Sequence, residues 1–253
     1  MEHMNLSGKT ILITGAARIG QNVVRIIAER GAEKIVLTYY KDSAEVNRAE
    51  KDAKNAGAFV ELVNADLSQP DSVRGLVEHV RSAYGALHGL IHMAAIYPRT
   101  PWEQLSEKEW DMNINTIARS AYLLGKYAGD LMKKNVADEV GVKGKMVFFA
   151  DWSVLTRPYK DYLPYNVAKA AVVGLTYSLA KELAPDILVN AIAPGPILAP
   201  PDLSAEDNAE VLLSTPLGRW GGAEEIAKAV GYFLEADFVT GHVLPVDGGR
   251  TIG

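Results

Sequence analysis

The 253-residue sequence contains no cysteine, so disulfides, thiolate metal sites and cysteine nucleophiles are all excluded. No apolar run reaches the roughly 18 residues that a membrane-crossing helix needs. The segment Met1–Asn5 shows neither the basic nor the apolar region of a signal peptide. We therefore expect a cytoplasmic protein with no membrane association.

A concentration of charge of one sign is also lacking. The chain has 26 basic and 31 acidic residues, a net charge of −5, and the two signs are mixed along its length. Nucleic-acid-binding proteins usually carry a basic patch or stripe. The expected partner is therefore a small-molecule substrate and no nucleic acid, and no metal site is predicted.

Short runs rich in Val, Ile and Leu alternate with helical patterns of about 10 to 20 residues. The predicted strands are residues 9–14, 34–39, 59–64, 87–93, 145–150, 187–192 and 242–246. The predicted helices are residues 20–30, 44–56, 70–84, 102–110, 111–134, 164–183 and 224–235. This alternation predicts an α/β fold, in which helices cover both faces of a parallel sheet.

No linker, repeat or low-complexity tract divides the chain, so residues 1–253 are predicted to form a single domain. Residues 197–222 interrupt the alternation with Pro, Gly and short polar residues. Such an excursion is typical of a flexible loop or a small lobe over a site.

Tyr165 and Lys169 are four residues apart at the start of a predicted helix, which places the phenol and the ammonium on one face. A free phenol has a pKa near ~10, and a nearby cation favours the phenolate and lowers that pKa. The pair is therefore a candidate proton-transfer device. Considered alone, it also fits a helix with a surface lysine and a half-buried tyrosine.

A turn containing Gly15, Ala17, Arg18, Ile19 and Gly20 lies between the first predicted strand and the first helix. Glycines allow the backbone to approach a pyrophosphate closely, and a helix N-terminus offers free N–H groups and a positive dipole. The sequence therefore predicts a dinucleotide site here, although glycine is also a common residue in ordinary turns.

The end of the second strand is informative about which dinucleotide binds. An NAD site usually has a carboxylate here for the adenosine 2′-hydroxyl, whereas an NADP site has a cation for the 2′-phosphate. Tyr40 is not acidic, and Lys41 and Arg18 are within reach of a 2′-phosphate. NADP(H) is therefore favoured over NAD(H). Asp42 argues the other way, unless it is the N-cap of the next helix.

Asp66 follows the third strand, directly before Leu67. At the carboxyl end of a parallel strand its carboxylate would face a nucleotide crevice and accept from an adenine amino group. A cap or turn role explains the same residue equally well.

Taken together, these features resemble the short-chain dehydrogenase/reductase family over nearly the whole chain. The matching pieces are Thr14–Gly20, Asp66, Asn115, the Tyr165/Lys169 pair, Pro194–Ile197, and the ending Val239 to Gly249. The resemblance implies a Rossmann-type doubly wound parallel sheet of about seven strands in a three-layer α/β/α domain. It also implies a nicotinamide cofactor and a homotetramer.

The resemblance assigns roles to individual residues. Tyr165 would exchange a proton with the substrate, Lys169 would hold the nicotinamide ribose, and Asn115 would support a water relay near the lysine. Asp66 would contact adenine. The remaining cofactor contacts would come from Gly15, Ala17, Arg18, Ile19, Gly20, Tyr40, Lys41, Leu67, Ala94, Ala95, Pro194, Gly195 and Ile197.

The sequence departs from the family pattern at the serine that normally lies thirteen residues before the tyrosine. That position is Trp152, flanked by Asp151 and Ser153. Aspartate in place of the serine resembles the pteridine reductase branch, so Asp151 is predicted to work with the tyrosine. The alternative is that Asp151 caps a turn and Ser153 takes the family role.

Two further departures lie beside the cofactor. The glycine turn is one residue short and lacks its middle glycine, and the fourth strand ends with His92, followed by Met93, Ala94 and Ala95, where the family usually has Asn-Asn-Ala-Gly. His92 is a candidate acid–base group, because the unperturbed pKa of an imidazole lies near ~6.5. Because the asparagines of the family brace the backbone there, a structural role is predicted for His92.

These features predict an NADPH-dependent reductase of a pterin-like heterocycle or a small carbonyl compound. Tyr97, Pro98, Arg99 and Trp102 are candidates for a stacking surface and a cation at the pocket edge. The alternatives are a 3-oxoacyl or ketone reductase of the same family, and a non-catalytic dinucleotide-binding protein.

Overall fold

Seven strands form one parallel sheet in the computed structural model, which describes residues 6–200 and 203–253. The strands are β1 (Thr10–Thr14), β2 (Lys34–Tyr39), β3 (Phe59–Asn64), β4 (Gly89–His92), β5 (Gly144–Phe149), β6 (Ile187–Pro194) and β7 (Val243–Val246). They pair in the order β3-β2-β1-β4-β5-β6-β7, and every pair is parallel. The predicted Rossmann-type fold is confirmed.

Helices cover both faces of this sheet. They are α1 (Ile19–Glu29), α2 (Ala44–Asn55), α3 (Pro70–Tyr84), α4 (Glu107–Asn113), α5 (Ser120–Met132), α6 (Leu163–Leu183), α7 (Ala205–Leu213) and α8 (Ala223–Glu235). Helices α1, α2 and α8 pack on one face, and α3, α5 and α6 pack on the other. Side chains alternate between the faces, so Leu12 enters one core, whereas Ile11 and Ile13 enter the other.

The chain order reverses between β1 and β4. Strand β1 pairs with β2 on one side and with β4 on the other, so the connections leave this point in opposite directions. A crevice opens at such a switch point, beyond the carboxyl ends of the strands, and ligands of doubly wound folds bind there. The fold therefore places the glycine turn after β1 and the segment after β4 side by side.

The main differences from the predicted elements lie in two segments. Residues 102–134 were predicted to form two helices, 102–110 and 111–134. They form four elements instead: a 3₁₀ turn at Trp102–Gln104, α4, a π-helical stretch at Ile114–Arg119, and α5. The Ser120 hydroxyl donates to the Thr116 carbonyl 2.6 Å away, at the end of that widened stretch. The excursion 197–222 contains α7, which was not predicted and whose Ser204 caps its first turn. Residues 1–5, 201 and 202 lie outside the described residues.

No helix in the described part of the chain is long and apolar enough to span a bilayer. Within residues 6–200 and 203–253, no three His, Asp or Glu side chains are grouped so as to hold a metal ion.

Candidate active site

Tyr165 and Lys169 lie on the first turns of α6, which begins at Leu163 with Pro164 in its first turn. Both side chains are buried against the sheet. The Tyr165 hydroxyl donates to Asp151 Oδ2 at 2.6 Å, and Lys169 Nζ donates to the Phe149 carbonyl at 2.7 Å. Lys169 Nζ is 5.9 Å from the centroid of the Tyr165 ring. The phenol is therefore paired with a carboxylate and has the ammonium as a near neighbour.

Asp151 fulfils both roles that the sequence left as alternatives. Its Oδ1 accepts from the Ser153 backbone N–H at 2.9 Å, which caps the 3₁₀ turn Trp152–Leu155, while its Oδ2 accepts from Tyr165. The Ser153 hydroxyl is buried and has no hydrogen-bond partner within the described residues. Asp151, rather than Ser153, therefore points at the phenol.

The electrostatic expectation for the tyrosine was wrong. Burial, followed by the charge and hydrogen bond of Asp151, raises the pKa of Tyr165 well above its usual value. Burial lowers the pKa of Lys169 to about 8, and the negative charge of Asp151 opposes that shift. The carboxylate favours the protonated phenol, so Tyr165 keeps its proton at neutral pH and has the state of a general acid.

A cleft of about 470 Å³ runs past these groups. Its walls come from the glycine turn, the end of β5, the start of α6, the segment after β6 and the lobe 203–220. The predicted residues that line it are Gly15, Ala17, Arg18, Ile19, Gly20, Ala95, Asp151, Tyr165, Lys169, Pro194, Gly195 and Ile197. The structure therefore brings most of the predicted site residues together.

The glycine turn is closed by a hydrogen bond from the Gly20 N–H to the Ala17 carbonyl at 3.0 Å. Gly15 has φ 86°, and a Cβ there would lie 2.8 Å from the Ala94 nitrogen. A Cβ on Gly20 would lie 2.2 Å from the Gly15 carbonyl oxygen. Arg18, at the start of α1, makes no side-chain cap, so the N-terminus of α1 is open toward the cleft. The shortened turn keeps a tight backbone cradle.

The predicted adenosine contacts lie outside this cleft. Tyr40 is 64% exposed, and Lys41 Nζ lies 6.0 Å from the centroid of the Tyr40 ring. Arg18 instead reaches across the cleft and donates to the Leu198 carbonyl at 3.2 Å. Leu67 is buried in the core and does not line the cleft, and its predicted cofactor contact stays a prediction.

The acidic residues near this end have local partners. Asp66 accepts from the Ser68 N–H and hydroxyl at 3.0 and 2.7 Å, which is the turn role considered from the sequence. Ser43, rather than Asp42, caps α2 by accepting from the Val46 N–H. Asp42 accepts from Asn47 Nδ2 at 3.2 Å.

An aromatic cluster surrounds the phenol. Tyr97 stacks on Tyr162 with ring centroids 4.4 Å apart and meets the Tyr165 ring edge-on at 4.7 Å. Trp152 Nε1 donates to the Tyr159 hydroxyl at 2.7 Å. The predicted stacking surface therefore includes Tyr97 but not its neighbours. Arg99 pairs with Asp161 at 2.6 Å, and Trp102 lines a separate cavity of about 550 Å³.

The family model described as Enoyl-(Acyl carrier protein) reductase matches residues 15–251. The short-chain dehydrogenase/reductase from Serratia marcescens BCRC 10948 superposes with a TM-score of 0.87 at 27% identity, over 98% of this chain and 99% of that one. The chain belongs to the short-chain dehydrogenase/reductase family. It is an oxidoreductase by that membership, and members of the family bind nicotinamide dinucleotides.

Several relatives in this family are similar over their full length. The 3-oxoacyl-(acyl-carrier-protein) reductase FabG of Escherichia coli is 32% identical over 252 residues, which cover 97% of this chain and 98% of that protein. The FabG of Thermotoga maritima is 31% identical over 262 residues, covering 98% and 100%. The structure of acetoin dehydrogenase from Enterobacter cloacae has a TM-score of 0.84 at 27% identity, covering 97% and 96%.

Asn115, which the family resemblance placed near the lysine, lies in the π-helical stretch and outside the walls of the cleft. Its side-chain Oδ1 accepts from Arg119 Nη1 at 3.4 Å. Neighbouring Asn113 is fully buried, and its Nδ2 donates to the Glu109 carbonyl at 2.9 Å. The structure therefore shows no contact between the Asn115 side chain and the phenol or the ammonium.

The residues that line the cleft and that the sequence analysis missed include Tyr159, Val211, Trp220 and Arg250. Val211 and Trp220 belong to residues 197–222, which were predicted to be a flexible loop or a small lobe, and Tyr159 lies between β5 and α6. Arg250 follows the paired glycines of the family ending, both of which have a positive φ, and that ending was the one available signal.

His92 occupies the asparagine position of the family and has the predicted structural setting. Its Nδ1 lies 2.7 Å from Thr14 Oγ1, and its Nε2 lies 3.1 Å from Ser120 Oγ. Because the Ser120 hydroxyl donates to Thr116, it accepts from Nε2–H, and Nδ1 accepts from Thr14. His92 is neutral and joins β1, β4 and α5.

Acidification is expected to destabilise the fold through His92. Burial, followed by the charge of Lys169, lowers its pKa to about 3, below its usual value near 6.5. The depressed pKa means that stability is complete above pH ~6.5 and is lost as pH falls from there toward ~3. Between pH 6.5 and 4.5 we expect the free energy of unfolding of His92→Asn, measured with urea, to fall by about 2 kcal/mol less than that of the parent protein. The control is His79→Asn, which removes a half-exposed imidazole, and equal acid sensitivity of parent and His92→Asn would contradict this.

Proposed function

We propose that this oxidoreductase is an NADPH-dependent reductase of a carbonyl compound, with Tyr165 as the proton donor. The observation that carries the proposal is the 2.6 Å hydrogen bond between the buried Tyr165 hydroxyl and Asp151, beside Lys169 in the cleft. A protonated phenol is the state required to deliver a proton to a substrate oxygen. The raised pKa of Tyr165 keeps the phenol in that state.

The cleft fits a dinucleotide by its shape. The close approach of Gly20 to the Gly15 carbonyl and the uncapped start of α1 provide backbone that an anion can approach. We assign the pyrophosphate to Gly15, Ala17, Ile19 and Gly20. The nicotinamide half falls to Ala94, Ala95 and the segment Pro194–Ile197. When bound, the cofactor supplies the hydride.

The protein's own residues supply the proton and the geometry. Tyr165 donates its proton to the oxygen of the substrate carbonyl as the carbon gains hydride, and an alcohol results. Lys169, whose pKa of about 8 leaves it charged at pH 7, compensates the developing negative charge on the phenol oxygen. Before the substrate binds, Asp151 accepts the hydroxyl hydrogen, and that hydrogen turns from Asp151 to the carbonyl oxygen when the substrate is in place. The water relay at Asn115 remains a prediction.

NADP(H) is preferred over NAD(H) in this proposal. No carboxylate occupies positions 38–41 at the end of β2, and Lys41 and Tyr40 are free to face a 2′-phosphate. Arg18 joins them if it releases the Leu198 carbonyl, a rotation of one exposed side chain. Asp66 takes the adenine contact through the carboxylate that now holds Ser68.

A pterin-like heterocycle is the second candidate, and Asp151 favours it. An ionised carboxylate only accepts hydrogen bonds, so it suits a substrate that presents an N–H group better than one that presents a carbonyl oxygen. The FabG relatives, which are named as 3-oxoacyl-(acyl-carrier-protein) reductases, favour the carbonyl substrate. The two candidates therefore differ in what they require of residue 151.

Purified protein with NADPH is the test, offered an acetoacetyl thioester and, separately, dihydrobiopterin. A carbonyl reductase is expected to oxidise NADPH only with the thioester, and Asp151→Ser is expected to keep that activity within about tenfold. A pterin reductase would act on dihydrobiopterin and lose that activity in Asp151→Ser by about 100-fold or more. Folded protein that turns over neither of these substrates, nor any of the ring-containing carbonyl compounds tested below, with NADPH or NADH would refute the proposed function.

We also propose that the protein assembles as a homotetramer. The outer face of α6 exposes Leu163, Val167 and Tyr177 by 40%, 41% and 51%, respectively. Gly174, on the same helix, has open space around it, because a methyl group placed there would meet nothing within 4 Å. Apolar and small residues on one helix face suit close packing between helices of two subunits. We further propose that residues 1–253 form one domain and that the lobe 197–222 closes over the substrate.

A further inference from the structure

Arg250 is a half-buried cation in the wall of the cleft, beside Trp152, which follows β5. Its guanidinium carbon lies 4.8 Å from the centroid of the Trp152 ring, and the residue lines the cleft. A guanidinium stacked on an aromatic face keeps the N–H groups at its edge free to donate. Trp152 is itself fixed, because its Nε1 donates to Tyr159. The stack therefore presents an oriented donor edge to the cleft.

The C-terminal turn holds Arg250 in place without neutralising it. Both carboxylate oxygens of Asp247 are used within the turn, one by the Gly249 N–H and the other by the Thr251 N–H and hydroxyl. A Cβ on Gly195 would lie 2.5 Å from the Asp247 Cα, so the turn packs directly against the segment after β6. The position of Arg250 therefore depends on that of Pro194–Ile197, the segment assigned above to the nicotinamide half of the cofactor.

Arg250 has no carboxylate partner within residues 6–200 and 203–253. Other arginines of the chain do form ion pairs, at Arg25, Arg30, Arg74, Arg81 and Arg99. Partial burial of an unpaired guanidinium carries a desolvation cost that an anionic ligand offsets. An ion pair formed in a partly dehydrated cleft is also stronger than one formed in water.

The charges around the cleft favour one orientation of an anionic substrate, with its negative group away from Asp151. Asp151 stands beside the proton donor, and its negative charge disfavours an anionic group at the reacting end. Arg250 lies against the ring of Trp152, the residue that follows Asp151 in the chain. The aromatic and apolar residues that line the cleft together with Arg250 include Trp152, Tyr159, Val211 and Trp220. They suit a flat, apolar body that connects the two ends.

We infer that the substrate is a planar, ring-containing carbonyl compound that carries a carboxylate, and that Arg250 binds this carboxylate. The inference rests on the proposed carbonyl reductase function and adds its substrate class. A neutral carbonyl compound of the same shape leaves Arg250 unpaired, so it is a poorer substrate. Arg250 is accordingly a specificity-determining residue.

The test compares para-acetylbenzoate with para-acetylbenzamide, which has the same shape and no charge. With NADPH, the parent protein is expected to prefer the acid in kcat/KM by about 30-fold, which corresponds to about 2 kcal/mol for a charge-assisted hydrogen bond. Arg250→Met is expected to abolish that preference through a rise in KM for the acid, with the amide unchanged within about threefold. Arg250→Lys is expected to keep part of the preference.

Arg219→Met is the matched control. It removes a cation from the lobe that borders the cleft, but the Arg219 guanidinium donates to the Trp220 carbonyl and does not line the cleft, so the preference for the acid is expected to survive. Calorimetry with NADP⁺ present gives a second readout: para-acetylbenzoate is expected to bind about 30-fold more weakly to Arg250→Met.

The outcomes separate this inference from the proposed function. Equal use of acid and amide by the parent, or an unchanged preference in Arg250→Met, overturns the inference and leaves the carbonyl reductase intact. Turnover of an acetoacetyl thioester without turnover of either benzoyl compound does the same. Failure of every carbonyl compound overturns both.

Discussion

Tyr165→Phe is expected to lower kcat for the accepted carbonyl substrate on the order of 10³-fold, as loss of a positioned general acid does. The ring and its contact with Tyr97 are kept, and only the hydroxyl that donates to Asp151 is lost. NADPH binding is expected to change by less than about threefold, because the phenol is not among the groups assigned to the phosphates. Steady-state kinetics and calorimetry with NADPH measure the two effects.

Tyr162→Phe is the control for this variant. Tyr162 belongs to the same aromatic cluster, with its ring centroid 6.4 Å from that of Tyr165, but it does not line the cleft. Its variant is expected to keep activity within about threefold. Parental kcat in folded, NADPH-loaded Tyr165→Phe would show that another group donates the proton, and the proposed mechanism would have to be abandoned.

Gly20→Ala is expected to raise the dissociation constant for NADPH about 100-fold, equivalent to about 2.7 kcal/mol. The new methyl carbon would lie 2.2 Å from the Gly15 carbonyl oxygen, which is backbone and has no flexible side chain to move aside. The turn must open, at a strain of about 1–3 kcal/mol, and the N–H groups at the start of α1 lose their aim. Titration calorimetry of NADPH and of NADH measures the change.

Gly75→Ala separates this effect from the general cost of replacing a glycine. Gly75 lies within α3, and nothing is within 4 Å of a methyl group placed there. Alanine is expected to stabilise that helix by about 0.5–1 kcal/mol without changing NADPH affinity. An unchanged affinity in Gly20→Ala would mean that the dinucleotide does not use the cradle at this turn.

Much of the scaffold was predictable because local signals and tertiary packing agree there. The predicted bounds of β2, β3 and α3 match the structure. The strands are short apolar runs that enter a parallel sheet, and α3 has Pro70 in its first turn and Gly85, with φ 75°, at its end. Where every level of the sequence gives the same indication, periodicity alone locates the element.

The remaining elements depend on contacts that a linear pattern does not show. The π-helical stretch Ile114–Arg119 is followed by Ser120. The Ser120 hydroxyl donates to a helix carbonyl and accepts from His92, which lies on a distant strand. Helix α7 is short and has no fully buried residue, so it lacks the apolar stripe from which a helix is predicted. Both features are decided by tertiary structure.

The sequence located several residues that meet in one cleft but not their electrostatics. The spacing of Tyr165 and Lys169 and the position of Asp151 led to groups that do meet in the cleft. The direction of the tyrosine pKa was wrong because the hydrogen-bonded carboxylate and burial outweigh the ammonium, and neither distance nor burial is visible in a spacing. Arg250 was missed because its neighbour Trp152 lies 98 positions earlier in the chain.

The hydrogen bonds of His92 help to determine which charges surround the catalytic groups. Its donors and acceptors follow a single sequence from Thr14 through the ring to Ser120 and on to a main-chain oxygen. The opposite tautomer of the ring would bring Nδ1–H against the hydroxyl hydrogen of Thr14, so the tautomer is fixed. The ring therefore stays uncharged in the neutral range and adds no second positive charge beside Lys169.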